Sequence, residues 1–501
     1  MDRDETTPLL NSENQHTPEP GSTTRLPWKL LPQWSQSQWR VILVSVLLML
    51  ALNFGNNLGA PAQLQVMEDI ICKNHLRSIN PNATVTAMAV YDDICKSPAV
   101  QSELALVNGW KYTFDVLPSI ALALPYGVLA DKIGRKPVLI MALFSLVACE
   151  LWTRIVCWFN LPIRTVWMAG LFQLLGGGEA MATSMLLTLV ADVISPEQRS
   201  TTLIQMASVV YFAEMVGTPL SAWMMKFDAW IPFWLGIIIM AVGAFVGFFM
   251  PETLDVRHDI QEDVFEDNAR DVDETSHLSG IKNCTTMDTV FSKAQELISS
   301  SRFIWTQPRL LVCIVAVFAG NLDKASAYLL IQYISTKFNW TISRASYLMS
   351  LKGFMSLGTM LLGVPLFSSF LTRTLRYDAV AKDLCISRVS AALGVAGYFI
   401  IFAAASAPLL TVGLMFMTLS LPFVWSMIGV GTSFLASKNQ IATFYSAISV
   451  SRSIGNVVSG PLFGSLYGWG VRSGLEWSGL PFAVASLTLL MTLGLITCIR
   501  A

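Results

Sequence analysis

Seven ionisable residues stand inside stretches of sequence that are otherwise almost free of charge: Glu150, Glu179, Glu214, Asp323, Lys324, Lys352 and Arg452. The apolar run around each is long enough to cross a bilayer as a helix. An ionised side chain at that depth costs several kcal/mol unless it is paired or wetted, so such residues mark ion or substrate pathways by default. Counted at about 1.5 Å per residue, Glu150, Glu179, Glu214 and Asp323 fall at similar mid-membrane depths. The first half of the chain supplies the carboxylates Glu150, Glu179 and Glu214. The second supplies the cations Lys324, Lys352 and Arg452, with Asp323 as a local partner. A carboxyl in a half-dry cavity can load and release a proton near neutral pH. A guanidinium opposite it suits a carboxylate or another anion. The same residues could instead form structural ion pairs between two halves of the molecule, and the sequence leaves both readings open.

The composition sets the frame for those residues. Of 501 residues, 53% are hydrophobic and 13% charged, with a formal net charge of −1. A soluble domain carries about twice that charged fraction. The charge that is present clusters in a few segments, which is the distribution of a polytopic helical membrane protein. Near-zero net charge without a basic cluster speaks against nucleic acid as a partner. No P-loop, nucleophile constellation or cofactor loop is visible, so neither an ATP motor nor an enzyme is expected. The eight cysteines show no metal-ligand spacing, and no metal or cofactor is expected.

In chain order, residues 1–37 read as a disordered cytosolic tail, polar and lacking the apolar core of a signal peptide. Within it, Glu5-Thr6-Thr7-Pro8-Leu9-Leu10 resembles the acidic dileucine signal read by sorting adaptors. The first apolar span, about 40–62, carries Asn53, Asn56 and Asn57, whose amides should face the bundle interior or a cavity. Residues 63–105 read as a long extracytosolic loop holding Cys72, Cys95 and the sequon Asn82-Ala83-Thr84; a disulfide and a glycan both require that side. Five more spans follow to residue 253. The acidic segment 254–305 suits a cytosolic linker between two six-helix halves, 38–253 and 306–501. The second half repeats the hydropathy of the first, with the sequon Asn339-Trp340-Thr341 outside and Arg373, Arg376, Lys382 and Arg388 inside.

Between the second and third spans lies Gly127-Val128-Leu129-Ala130-Asp131-Lys132-Ile133-Gly134-Arg135-Lys136-Pro137. Gly127 would let two helices approach closely, and Gly134 permits a turn that a side chain would obstruct. Asp131 can meet the positive end of a helix, while Arg135 offers a forked donor to a carboxylate. After the fourth span comes Asp192-Val193-Ile194-Ser195-Pro196-Glu197-Gln198-Arg199, whose Asp192 or Glu197 is the natural partner for Arg135. The pattern G-x-x-x-D-[RK]-x-G-R-[RK] resembles the signature loop of the major facilitator superfamily, and the second segment resembles that family's acidic-then-basic loop. In the fifth span the chain has Gly217-Thr218-Pro219, where exporters of the superfamily have Gly followed directly by Pro.

The resemblance implies an all-α membrane protein of twelve transmembrane helices in two pseudo-symmetric halves, working as a monomer in a plasma, vacuolar or endosomal membrane. It is closest to the proton-coupled drug-exporter-like and folate-carrier-like branches, which include transporters of fungal specialised metabolites. Its implied partners are protons and a small-molecule substrate. The expected activity is proton-coupled export of an amphipathic organic acid; uptake of an organic anion and a non-transporting nutrient sensor are the alternatives, the latter disfavoured by the short C-terminus. Glu214, Glu150, Glu179 and Asp323 are the expected proton carriers. Arg452, Lys324, Lys352, Asn53 and Asn57 are the expected substrate contacts. Gly127, Asp131, Lys132, Gly134, Arg135, Lys136, Asp192, Glu197 and Arg199 are expected to control the conformational cycle.

Overall fold

The computed structural model describes residues 36–79, 94–194, 196–252, 307–322, 324–435 and 438–498. The expectations at Glu5, Leu9, Leu10, Asn82 and Asp323, and the whole 254–305 segment, lie outside these residues, as do the side chains of Glu197, Arg199 and Lys324. The N-terminal helices are α1 (Gln36–Ile79), α2 (Pro98–Ile133), α3 (Arg135–Trp158), α4 (Ala169–Phe172), α5 (Gly178–Val193), α6 (Pro196–Met224) and α7 (Trp230–Val246). The C-terminal helices are α8 (Pro308–Leu322), α9 (Lys324–Lys337), α10 (Ile342–Gly358), α11 (Val364–Arg373), α12 (Ala379–Ala403), α13 (Ala407–Thr418), α14 (Pro422–Ser433), α15 (Lys438–Ser473) and α16 (Leu480–Thr497).

Eight helical runs among the described residues are long and apolar enough to cross a bilayer, and α2, bent by 55° near Pro125, makes a ninth. The other three segments of the expected twelve are α6, α8 with α9, and α15. Of these, α8 is apolar but only 15 residues long, while α6, α9 and α15 carry more polar residues along their length.

Two elements run further than their hydropathy suggests. α1 does not stop near residue 62 but continues to Ile79, so its 44 residues span about 66 Å. The extension is helical because Val66, Met67, Ile70 and Ile71 form one buried stripe, which the polar residues between them mask in a hydropathy reading. α2 likewise starts at Pro98, a favourable first-turn residue, and buries Val100, Leu104 and Val107. The stretch 63–105 is therefore not one loop. Cys72 sits on α1 and is joined to Cys95 by a disulfide with a Cα–Cα distance of 5.0 Å, both residues buried.

The buried apolar residues form separate cores. One, of residues 310–496, joins the C-terminal helices, with Ala105 of α2 entering it. Another, of residues 41–250, joins the N-terminal helices, and a third lies around the disulfide. Between the halves, α2 crosses α15 with backbones almost touching: a Cβ on Gly109 would stand 2.5 Å from the Gly460 carbonyl oxygen. Only glycine tolerates that approach.

Candidate functional site: a cleft between two halves and its gates

At the disulfide end, polar side chains stitch the halves together. Lys96 follows Cys95 directly and donates to Glu68 on α1 (2.7 Å) and to Ser335 on α9 (2.6 Å). Gln101 on α2 donates to Glu68 (2.5 Å), while its own amide oxygen accepts from Gln332 (3.0 Å) and Thr336 (3.1 Å) of α9. Tyr467 on α15 donates to Thr336, and Arg472 donates to Ser102. Glu68, Gln101, Gln332, Ser335 and Thr336 are all buried. The disulfide ties the turn carrying Lys96 to the α1 extension carrying Glu68, so it positions both members of this ion pair.

Deeper in, two prolines organise the interface. Pro219 in α6 has no N–H, so it leaves the Met215 carbonyl without a helical partner. Ser350 of α10 donates to that carbonyl across the interface at 3.1 Å. Pro461 in α15 frees the Val457 carbonyl in the same way, and Thr113 of α2 donates to it at 2.9 Å. Each half thus offers a proline-freed carbonyl to a hydroxyl of the other half. Ser350 thus occupies the acceptor that Pro219 frees. Beside the first pair, Glu214 and Lys352 form an ion pair at 2.6 Å, with both side chains mostly buried. One expected proton carrier and one expected substrate contact are therefore joined to each other.

The charge asymmetry expected between the halves does not hold, because the N-terminal half carries intramembrane cations of its own. Glu150 of α3 is bound by Arg154 (2.8 Å) and faces Lys111 of α2 at 3.8 Å. Lys111 in turn pairs with Asp115 at 2.7 Å. Arg154 is almost fully buried, donates to the Phe233 carbonyl at 2.8 Å and lies over the Phe233 ring. Glu150 is therefore clamped by two cations, of which Arg154 also pins α3 to α7, and this corrects its reading as a carrier among acids alone. Lys111, Asp115 and Arg154 carry a sequence signal, charge inside an apolar run, that the reading above passed over.

Arg452 of α15 is half-buried and lies over the Trp425 ring of α14 at 5.6 Å, with no carboxylate in ion-pair range among the described residues. Tyr112 of α2 and Tyr328 of α9 meet across the interface with ring centroids 5.1 Å apart. Tyr328 keeps 65% of its surface open yet lies within electrostatic reach of Glu179 and Glu214, as a residue on a cleft wall does. Tyr112 is also within reach of Glu179, which places that acid on the same wall. The α1 amides do not join this group: Asn53 donates to the Met49 carbonyl of its own helix, and the Asn57 side chain lies where Gly217 of α6 packs.

At the other end of the molecule stands the signature loop. Asp131 to Ile133 remain helical, and the turn is Gly134 alone, with φ +100° and ψ 160°. The Arg135 guanidinium pairs with Asp192 of α5 and reaches the Thr188 carbonyl at 3.4 Å. Glu252, which follows α7, accepts from the backbone N–H groups of Arg135 and Lys136, both at 3.2 Å. Its carboxylate thus satisfies the orphan donors at the α3 N-terminus, where the helix dipole favours negative charge. Gly127 is not at a close helix contact, since a Cβ there would meet nothing within 4 Å. It lines a cavity of about 310 Å³, together with Asp131, Arg135, Met185 and Thr188.

Two helical halves drawn together at one end, with charged groups on the walls of the cleft between them, are the build of a membrane transporter and not of an enzyme. The chain belongs to the Major Facilitator Superfamily, whose sequence profile matches residues 85–460. Among similar proteins, the MFS efflux pump atnC of Emericella nidulans is 30% identical over 449 residues, covering 89% of this chain and 85% of that one. The MFS-type transporter avaK of Aspergillus versicolor is 31% identical, over 93% and 94% of the two chains. Among solved structures, the human organic anion transporter MFSD10 (TETRAN) matches with a TM-score of 0.56 at 16% identity, over 92% of this chain and all of that one. The xylose transporter XylE of E. coli, in a partially occluded inward-open conformation, matches with a TM-score of 0.57 at 11% identity, over 93% and 98%. The protein is therefore an integral, multi-pass membrane transporter of small molecules, similar to fungal MFS efflux pumps and transporters.

Proposed function

We propose that this protein exports an amphipathic organic acid, or a comparable specialised metabolite, in exchange for protons by alternating access. The disulfide end is taken as the outer one, and the signature loop and 254–305 segment as cytosolic. The observation that carries the reading is the Glu214–Lys352 pair, which joins the two halves at mid-depth. Protonation of Glu214 removes one charge of that pair, so a proton can loosen the interface that a moving transporter must break. Arg452 supports the anionic substrate, because a half-buried guanidinium without a carboxylate partner among the described residues has a strong binding capacity to offer. Export is further supported by the similarity to two fungal efflux pumps, atnC of Emericella nidulans and ustT of Aspergillus flavus. Uptake of an organic anion stays in view because Thr218 separates Gly217 from Pro219 in α6.

Counterflow in sealed vesicles under an imposed pH gradient tests direction and coupling together. Glu214→Gln mimics the protonated acid, so substrate binding should persist while proton-driven accumulation fails. Arg452→Lys keeps the charge but loses the planar fork, and should weaken binding instead. Accumulation by Glu214→Gln against a gradient removes Glu214 as the carrier. Normal binding by both Arg452→Lys and Arg452→Ala removes the anionic substrate.

A further inference from the structure

Lys96 and Ser97 form the turn between Cys95 and the first residue of α2, Pro98. The Lys96 ammonium has three protons to donate, and two are committed. One goes to Glu68 in the N-terminal half at 2.7 Å, the other to Ser335 in the C-terminal half at 2.6 Å. The Ser335 hydroxyl gives its own proton to the Trp340 carbonyl at 2.7 Å, so toward Lys96 it can only accept. Glu68 and Ser335 are both buried, and water does not compete for either bond while the outer end is shut.

The neutral contacts beside this bridge are less complete. Gln332 donates to the Gln101 backbone carbonyl at 2.8 Å and to its side-chain oxygen at 3.0 Å. Its own Oε1 is buried without a donor among the described residues, as is the Ser97 hydroxyl. A partly satisfied amide network holds two surfaces together weakly. A hydrogen bond from a charged group is roughly twice as strong as a neutral one, so the Lys96 bond carries a large share of this closure.

The disulfide decides where Lys96 stands. Glu68 and Cys72 are four residues apart on α1 and therefore share one face of that helix. Bridging Cys95 to Cys72 brings the next residue, Lys96, beside Glu68. Gln101 completes the arrangement, donating to the Cys95 carbonyl at 2.9 Å and to Glu68 at 2.5 Å. Glu68, Lys96 and the bridge belong to one half and move together; the Lys96–Ser335 bond is the one that opening must break.

We propose that Lys96 is the latch of the outer gate, and that the Cys72–Cys95 disulfide acts on the transport cycle by holding Lys96 within reach of Ser335. Lys96 is a positioning residue: it sets how much of the time the outer end stays shut and touches no substrate in doing so. The bridge is then a working part of the gate as well as a staple of the fold. The inference rests on the alternating-access reading above, with the disulfide end outside, but needs neither the proton nor the organic acid.

The test measures the ratio of outward-open to closed protein for the full-length chain in lipid vesicles. Bioorthogonal spin labels at Phe227 and Glu476, exposed on opposite halves at the outer end, report it as a distance distribution. Lys96→Met loses the cross-half bond and leaves Glu68 without its cation whenever the gate is shut, so the ratio should rise roughly tenfold. Lys96→Arg keeps the charge and the donors and should stay near wild type. Cys72→Ala/Cys95→Ala should raise the ratio as well, and adding it to Lys96→Met should raise it no further, because the bridge acts through a residue already removed. The comparison is repeated on folded wild-type and Lys96→Met proteins after reduction of the bridge, which does not require the bridge-free chain to fold. A wild-type ratio in Lys96→Met, or a Lys96→Arg ratio equal to that of Lys96→Met, overturns the charged latch. A bridge-free or reduced protein with the wild-type ratio, or effects of bridge and Lys96 that multiply, overturns the role of the disulfide. Vesicle export indifferent to an imposed pH gradient would sink the proton-driven reading and leave the latch standing.

Discussion

Removing the two hydroxyls that cap the proline-freed carbonyls should open the outer end of the transporter. In Thr113→Val and Ser350→Ala the Val457 and Met215 carbonyls lose their donors in the closed state described here. In the outward-open state proposed above, the cleft is wet and water replaces either hydroxyl, so the loss falls on one state only. An orphaned buried carbonyl costs about 1–3 kcal/mol. At about 1.5 kcal/mol each, either substitution shifts the equilibrium toward outward-open by roughly tenfold. The two sites lie on different helix pairs and share no partner, so their effects add. The double variant should then shift by roughly a hundredfold. Spin labels at Phe227 and Glu476, exposed positions of opposite halves at the outer end, report the populations through their distance distribution. A double variant with no more of the long distance than wild type, or no more than either single variant, refutes the reasoning.

Other outcomes follow from the cytosolic end and the disulfide. Gly134 has backbone angles that are essentially restricted to glycine, and a Cβ there would stand 2.5 Å from the Glu252 carboxylate; Gly134→Ala should lower stability by about 2–4 kcal/mol, read as a lower melting temperature in detergent. Arg135→Ala and Asp192→Asn break an ion pair far from the mid-membrane groups, so transport should slow much more than binding weakens; a variant with normal turnover and lost affinity contradicts this. Cys72 and Cys95 should resist a thiol label on unreduced, denatured protein, and labelling of both would rule out the bridge. Asn339, exposed after α9, should carry a glycan that glycosidase removes, and loss of that mass shift in Asn339→Gln checks it.

Much of this molecule is written in local pattern. Runs of apolar residues specify helices in a bilayer whatever their neighbours are, because no other structure pairs every backbone group there. The turn of the signature loop could be read because Gly134 and its neighbours act within a short reach, where residue type and spacing nearly fix geometry, whereas the choice of Asp192 over Glu197 for Arg135 could not. Intramembrane charge also announced itself, as at Glu214, Lys352 and Arg452, since lipid penalises it wherever it points. What the sequence could not say is which charge meets which. Glu214 finds Lys352 at 138 positions' distance, and Glu252 reaches the α3 N-terminus from 117 positions away. Gly127, equal to Gly134 in the motif, borders a cavity and touches nothing, while Gly109, outside any motif, sits where two backbones cross. A proline marks a freed carbonyl in one dimension; the hydroxyl that satisfies it comes from the other half of the molecule. Pairing depends on the packing of whole helices, whose rotation and depth are set by all their contacts at once, and that only the tertiary structure decides.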